Sequence, residues 1–364
     1  MRASQTRRGD QTRRLCPTVA RALLSALLAA CGARAQSSSP RAEPAAPAVQ
    51  EFIDETGRRV AVVQPVRRIV SLAPSLTETL YALGAQDRLV GVTDYCDYPP
   101  EAQSKPKVGG AINPNLEQLA ALKPDVVLVT RALNRRETVA ALEHLGITTY
   151  ATDPRSVEGV LSSIARLAQA IGARTQGEAL VGGLRARLEE LKQRLGARPP
   201  RRVLFVVWHE PLISIGSETF LADALRWAGA ASVVDSTQDW PRLSLEVVLH
   251  LQPEYLLFVG SHSEAVERDF QALRDRPGWR SLEAVRQRRI AVISDAVIRP
   301  APRLIDAIIE LARQLHPDAF ANNEENRKGK VENRRSNTTE NNSLFSIFHF
   351  LSSPALKELR TCSR

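Results

Sequence analysis

Apolar positions along this chain switch repeatedly between two periods. Runs of strand formers stand at 66–74 (VRRIVSLAP), 126–130, 147–151, 201–209 (RRVLFVVWH), 255–260 and 290–294. Between them, leucine and alanine recur at helical spacing. Alternation of this kind predicts an α/β fold, with parallel sheets wrapped by helices. The units also repeat. NLEQLAALKPDVVLV (115–129) overlays SLEVVLHLQPEYLLF (244–258), TVAALEHLGITTYATD (138–153) overlays SLEAVRQRRIAVISD (281–295), and TLYALGA (79–85) overlays ALRWAGA (224–230). The pairs keep one order, so the pattern predicts two similar lobes, 51–155 and 200–320.

The segment between them, 156–199, reads as helical. Within TQGEALVGGLRARLEELKQRLG, Leu180, Leu184, Leu188, Leu191 and Leu195 form one apolar stripe, and Thr175 with Glu178 predicts a capping box. Gly196 suits the stop, with Pro199 and Pro200 beyond it. About twenty helical residues make a rod of roughly 30 Å, long enough to join two lobes.

Charge changes the picture only at the ends. The net charge is +9, but residues 1–31 carry six Arg against one Asp, and residues 321–364 carry eight basic and five acidic groups. The folded part is therefore nearly neutral, which argues against a nucleic-acid partner. Arg13, Arg14 and Arg21 precede the apolar run ALLSALLAA at 22–30, an export leader too short to span a bilayer. Leu28-Ala29-Ala30-Cys31 resembles a bacterial lipobox, which would put a lipid on Cys31; a rival cut after Ala35 would release a soluble protein. Either way the chain is exported. Residues 32–50 read as a Ser/Pro/Ala linker, and 321–364, holding seven Asn, as a disordered tail. Cys96 is the one cysteine of the folded part, so no disulfide framework is expected.

The loops at the carboxyl ends of the strands are where such folds bind ligands. They hold Tyr95, Tyr98, Trp208 and Trp240, together with Ser75, Asp295 and Arg299. Aromatic faces suit a large flat or apolar ligand. Tyr95 and Trp240, in turn-rich polar stretches, read as binding residues; Tyr98 and Trp208 fit either a ligand or the caps of two cores. Ser75 and Glu78 predict another capping box. Arg303 near a helix start opposes the helix dipole and needs a partner, with Asp306 one candidate. Nucleotide-binding glycine loops, the hydrolase elbow and HExxH are all missing from the sequence. His209-Glu210 alone offers a weak metal site, so neither a catalytic set, a metal nor a resident cofactor is expected.

Asn115 and Ser244 read as N-caps, placing Glu117 and Glu246 at the second position of matched helices. One such acid gains about 0.3–1 kcal/mol from the dipole. Two of them, one per lobe, fit a partner with two-fold or pseudo-two-fold symmetry.

The run RRIVSLAPSLTETLYALGAQDRLVGVTDYCDYPPEA, then NLEQLAALKPDVVLV, WPRLSLEVVL and SDAVIRPAPRLIDAI, resembles class III periplasmic binding proteins of ABC importers, and above all their cobalamin-binding members. The resemblance covers about residues 51–318. It implies two α/β lobes joined by a backbone helix, a monomer with limited hinge motion, and an importer made of a permease dimer with ATPase subunits. It implies that Glu117 and Glu246 dock onto permease arginines. Tyr95 and Trp240 match corrinoid-contacting positions and Asp295 a polar one, whereas Gly110 or Ala111, Thr130 and Ile213 stand where aromatics are found. The implied activity is capture of cobalamin or a related corrinoid, at the periplasmic or outer face of the inner membrane. A ferric siderophore or haem is the alternative ligand, favoured if Arg131, Arg299 and Arg303 face it. An enzyme acting on a bound metal cofactor is the alternative of another class.

Overall fold

The computed structural model describes residues 48–260 and 263–321. The leader, Cys31 with its lipobox, and the tail from 322 onward lie outside them. A hairpin of β1 (Ala48–Ile53) and β2 (Arg59–Gln64) opens the described chain. The first lobe follows as β3 (Ile69–Ser71), α1 (Pro74–Ala82), β4 (Leu89–Val92), α2 (Leu116–Ala121), β5 (Val126–Thr130), α3 (Arg136–His144) and β6 (Thr149–Thr152). Helices α4 (Val157–Ala170) and α5 (Arg174–Leu195) lead to the second. That lobe runs β7 (Arg201–Val206), the short hairpin β8 (Trp208–His209) and β9 (Leu212–Ile213), α6 (Phe220–Trp227), β10 (Ala230–Ser232), α7 (Leu245–Leu251) and β11 (Tyr255–Val259). It closes with α8 (Ser263–Arg274), α9 (Glu283–Arg286), β12 (Ile290–Ile293) and α10 (Leu304–Leu315).

Both main sheets are parallel. Their orders are β4-β3-β5-β6 and β10-β7-β11-β12, so first, second, third and fourth strands take the same places in each lobe. The central strands show why: all five residues of VVLVT in β5 are buried, as a parallel strand covered on both faces requires. Each sheet turns its outer face to a local core, Leu72, Leu119, Val127 and Leu142 in the first lobe, Leu204, Val248, Phe270 and Trp279 in the second. The inner cores are continuous. One cluster runs from Ile69, Leu80 and Leu161 through Leu184, Leu188, Leu191 and Leu195 of α5 to Leu225, Leu304 and Ile308.

Helix α5 is therefore a shared core element rather than a bare strut. Its 22 residues span about 33 Å. Glycine lets α4 approach: a Cβ on Gly177 would lie 2.4 Å from the Ala168 Cβ. The predicted Thr175–Glu178 capping box is not formed. The helix begins at Arg174 after Ala173, and Glu178 instead pairs with Arg174 at 3.2 Å. Gly196 ends the helix at φ +56°, as expected from the sequence.

Several boundaries differ from the periodicity. β3 is only three residues long, because the Arg67 and Arg68 amides before it donate to the Asp125 carboxylate and Pro74 after it opens α1. β1 starts at Ala48, inside the stretch read as linker. The hairpin and the short strands β4 and β10 lie outside the strand runs read from the sequence, although β2 alternates exposed and buried positions.

Candidate ligand cleft and docking helices

In a parallel α/β sheet the crevice outside the carboxyl ends of the strands, where strand order reverses, receives ligands. Here it lies past β3 and β5 in one lobe and past β7 and β11 in the other. Aromatic side chains stand exposed on the loops after the strands: Tyr95 at 65% and Tyr98 at 40% follow β4, Trp208 at 57% follows β7, and Trp240 at 53% follows β10. Tyr98 and Trp208 thus do not cap the cores. Trp208 is oriented by its indole N–H, which donates to the Glu210 carbonyl at 2.7 Å. The Trp240 loop is laced to the strand β9 region by backbone bonds, Ser214 N to Pro241 O and Gly216 N to Asp239 O, both 3.0 Å. Any side chain at 216 would collide, since a Cβ there would lie 1.9 Å from the Gln238 carbonyl oxygen. Gly110 faces the Tyr95 ring, and a Cβ on it would lie 3.9 Å from that ring.

An ion cluster joins the lobes beside these aromatics. Arg299 donates to Glu78 at 2.9 Å and to both oxygens of Asp97 at 2.7 and 3.2 Å, and pairs with Asp295 at 3.2 Å. Arg303 donates to both oxygens of the same Glu78 at 2.8 and 2.7 Å, while its guanidinium lies 3.5 Å over the Tyr98 ring. Burial works against charge on Arg299, but the hydrogen bonds to Asp97 and Glu78 outweigh it and hold the guanidinium above its ordinary pKa. The Arg299 hydrogen bond likewise holds the Asp97 carboxyl below the usual range, and bonding to Glu78 raises Arg303.

This cluster corrects the expected Ser75–Glu78 box. Helix α1 starts after Ala73 with no side-chain cap, Ser75 is buried at 5% exposure, and Glu78 turns inward to the two arginines. A buried carboxylate without such partners would cost several kcal/mol. Arg303 finds Glu78 rather than Asp306, which pairs with Arg187. Sequence reasoning missed the roles of Glu78 and Asp97. Glu78 had a signal: in the repeat it overlays Asp223, which also reaches across, accepting the Val157 amide at the start of α4 at 2.8 Å.

A second ion track runs from Arg131 to Asp153 at 2.9 Å, on to Arg155 at 3.3 Å, and from Arg155 to Asp239 of the other lobe at 3.7 Å. Beside it a cavity of about 790 Å³ is lined by Glu55, Thr130, Arg131 and Asn134 among others. The Thr130 hydroxyl is buried there with no hydrogen-bond partner among the described residues. The backbone around it is fixed by Asn134, which accepts from Thr130 N and donates to the Leu72 and Ala111 carbonyls.

Helices α2 and α7 share their construction. Asn115 accepts from the Gln118 amide and Ser244 from the Val247 amide, so Glu117 and Glu246 occupy matching second positions, both exposed. Neither acid has an ion-pair partner among the described residues. At the other end, Arg68 donates to the Leu122 carbonyl at 2.7 Å and Arg202 to the Leu251 carbonyl at 2.6 Å. Each lobe thus anchors this helix with an arginine from the lobe's first strand region. Sequence reasoning had not used this pair.

Among the described residues, no group of His, Cys, Asp and Glu could hold a metal ion. Cys96 is buried between the Thr77 and Thr93 hydroxyls, and the His209 side chain lies outside what the structure describes. No described helix is long and apolar enough to cross a membrane.

A family model for periplasmic binding proteins matches residues 69–297. The chain belongs to the periplasmic binding protein family. An ABC transporter substrate-binding lipoprotein of Bacillus subtilis (strain 168) is 30% identical over 308 residues, 82% of this chain and 96% of that one. The vitamin B12-binding protein of Vibrio cholerae serotype O1 (strain ATCC 39541 / Classical Ogawa 395 / O395) is 30% identical over 267 residues, 72% of this chain and 94% of that one. The solved periplasmic haem-binding protein BhuT, in complex with two haems, superposes with a TM-score of 0.62 at 30% identity, covering 69% of this chain and 98% of its own. These relatives are binding proteins, not enzymes. As a periplasmic binding protein, this chain belongs outside the cytoplasm, where such proteins serve the permease and ATPase of an ABC importer.

Proposed function

We propose that this binding protein captures cobalamin or a related corrinoid, and delivers it to an importer permease on which Glu117 and Glu246 dock. It acts as a monomer tethered through a lipid on Cys31. One observation carries the choice of ligand: the cleft arginines are already neutralised. Arg299 and Arg303 are held by Glu78, Asp97 and Asp295, and Arg131 by Asp153. The five groups of the interlobe cluster sum to a net charge of −1, which repels haem carboxylates and anionic siderophores but not a neutral corrinoid. Exposed Tyr95, Trp208 and Trp240 supply the flat apolar surface a corrin ring needs, and likeness to a B12-binding protein supports the reading.

Haem is the second reading, favoured by the likeness to BhuT and by Gly110, Ala111, Thr130 and Ile213 at positions where the resemblance leads one to expect aromatics. Calorimetric titration of the purified chain with cyanocobalamin, haemin and a ferric siderophore decides between them. One-to-one cyanocobalamin binding, at least tenfold tighter than haemin, is expected. Heat from haemin alone would replace the corrinoid reading with the haem one.

A further inference from the structure

We propose that Asp97, backed by the buried Glu78, determines specificity in this cleft by occupying the guanidinium groups of Arg299 and Arg303 so that an anionic ligand finds no free cation. The inference rests on the capture function proposed above but concerns a different quantity, the selectivity between neutral and anionic chelates.

Three observations lead to it. First, the two acids come from the first lobe and the two arginines from the second, so the neutralisation happens across the gap where a ligand would sit. Second, the two acids are differently placed. The Glu78 side chain is 2% exposed and accepts from both arginines, fixing their orientation; the Asp97 side chain is 55% exposed and takes both terminal nitrogens of Arg299. A ligand carboxylate competing for Arg299 must displace Asp97, the partner that water can reach. Third, Asp97 shares its loop with Tyr95 and Tyr98, and Tyr98 lies under Arg303, so the aromatic and ionic parts of the cleft are built from one segment.

Electrostatic complementarity of this kind sets partner choice more than raw affinity, because an unmatched charge in a partly desolvated site is penalised strongly. Neutralising Asp97 leaves Arg299 with Glu78 and Asp295 and takes the cluster to zero net charge. Neutralising Glu78 as well makes it +1.

The test compares haemin, with two carboxylates, against cyanocobalamin on the full chain carrying Asp97→Asn, Glu78→Gln or both. Asp318→Asn serves as a control, since Asp318 pairs with Arg198 outside the cluster and its loss changes net charge equally. The ratio of haemin to cyanocobalamin affinity is expected to rise about threefold to tenfold for Asp97→Asn, the scale of a partly exposed ion pair, and further for the double variant. The gain should shrink between 50 and 500 mM salt. Asp97 is exposed, so its variant tests the idea even if Glu78→Gln unfolds. An unmoved ratio, or an equal shift in Asp318→Asn, overturns the assignment. Failure of the unaltered chain to bind cyanocobalamin would instead retire the corrinoid reading, and the haemin affinities of the variants would still judge Asp97.

Discussion

Glu78 and Asp223 hold the same place in the two lobes, six residues before the left-handed glycine that closes α1 or α6, Gly84 at φ +68° and Gly229 at φ +72°. Their fates differ. Glu78 is buried under two guanidinium groups from the other lobe, whereas Asp223 accepts one backbone amide from α4 and pairs with Arg226. The strand order of the sheets, the capped starts of α2 and α7, and the arginines that anchor them repeat. The carboxyl-end loops do not: Tyr95, Tyr98, Glu78 and Asp97 stand on one side, and Trp208, Trp240, Arg299 and Arg303 on the other. On the function proposed above, what repeats would face a two-fold partner, and what has diverged would face an asymmetric ligand.

The sharpest way to break that comparison is to reverse the repeated acids. Glu117→Lys with Glu246→Lys should reduce importer-dependent uptake of the ligand to the background of cells lacking the chain, with affinity in solution preserved. If the lobes are equivalent at the permease, each single reversal gives a similar partial loss. A large loss from one and none from the other would show that only one lobe docks this way. Loss of affinity in solution would put these helices in the cleft instead.

Next in size is the coupling between lobes. Leu188, 2% exposed on α5, belongs to the core that reaches both sheets. Leu188→Ala should cost about 2–5 kcal/mol and lower one cooperative melting transition, because the cavity weakens both lobes at once. Two separated transitions would mean that the lobes fold as independent bodies and that the shared core couples them little.

Much of this organisation was legible in the sequence because it rests on local chemistry. The repeat located both lobes, the N-cap residues placed Glu117 and Glu246, and the Leu stripe of α5 was read correctly. Helix starts were legible where a side chain caps, at Asn115 and Ser244, and misread where none does. Ser75 with Glu78, and Thr175 with Glu178, have the spacing of a capping box, yet α1 and α5 begin at Pro74 and Arg174 after alanines that cannot cap. The ion cluster was illegible for another reason. Glu78 and Arg303 lie 225 residues apart, and no periodicity reports a pairing made only when two lobes close on each other.

The smallest effect separates the lobes most finely. Thr130 in the first and Ser214 in the second are both buried, and both hydroxyls lack a partner among the described residues. An unsatisfied buried hydroxyl costs about 1–3 kcal/mol, so Thr130→Val and Ser214→Ala should each stabilise the chain, by about 1 kcal/mol once packing adjusts. The two differ in surroundings: Thr130 lines the cavity beside Arg131, whereas Ser214 is wholly enclosed beneath the Trp240 loop. If the first lobe offers its hydroxyl to the ligand, Thr130→Val should gain stability yet lose affinity about fivefold, the worth of one neutral hydrogen bond, while Ser214→Ala gains stability alone. Denaturant unfolding and calorimetry on the same samples measure both. Unchanged affinity in Thr130→Val would leave its hydroxyl a structural flaw like that of Ser214, and would confine ligand contact in the first lobe to the loop that carries Tyr95 and Asp97.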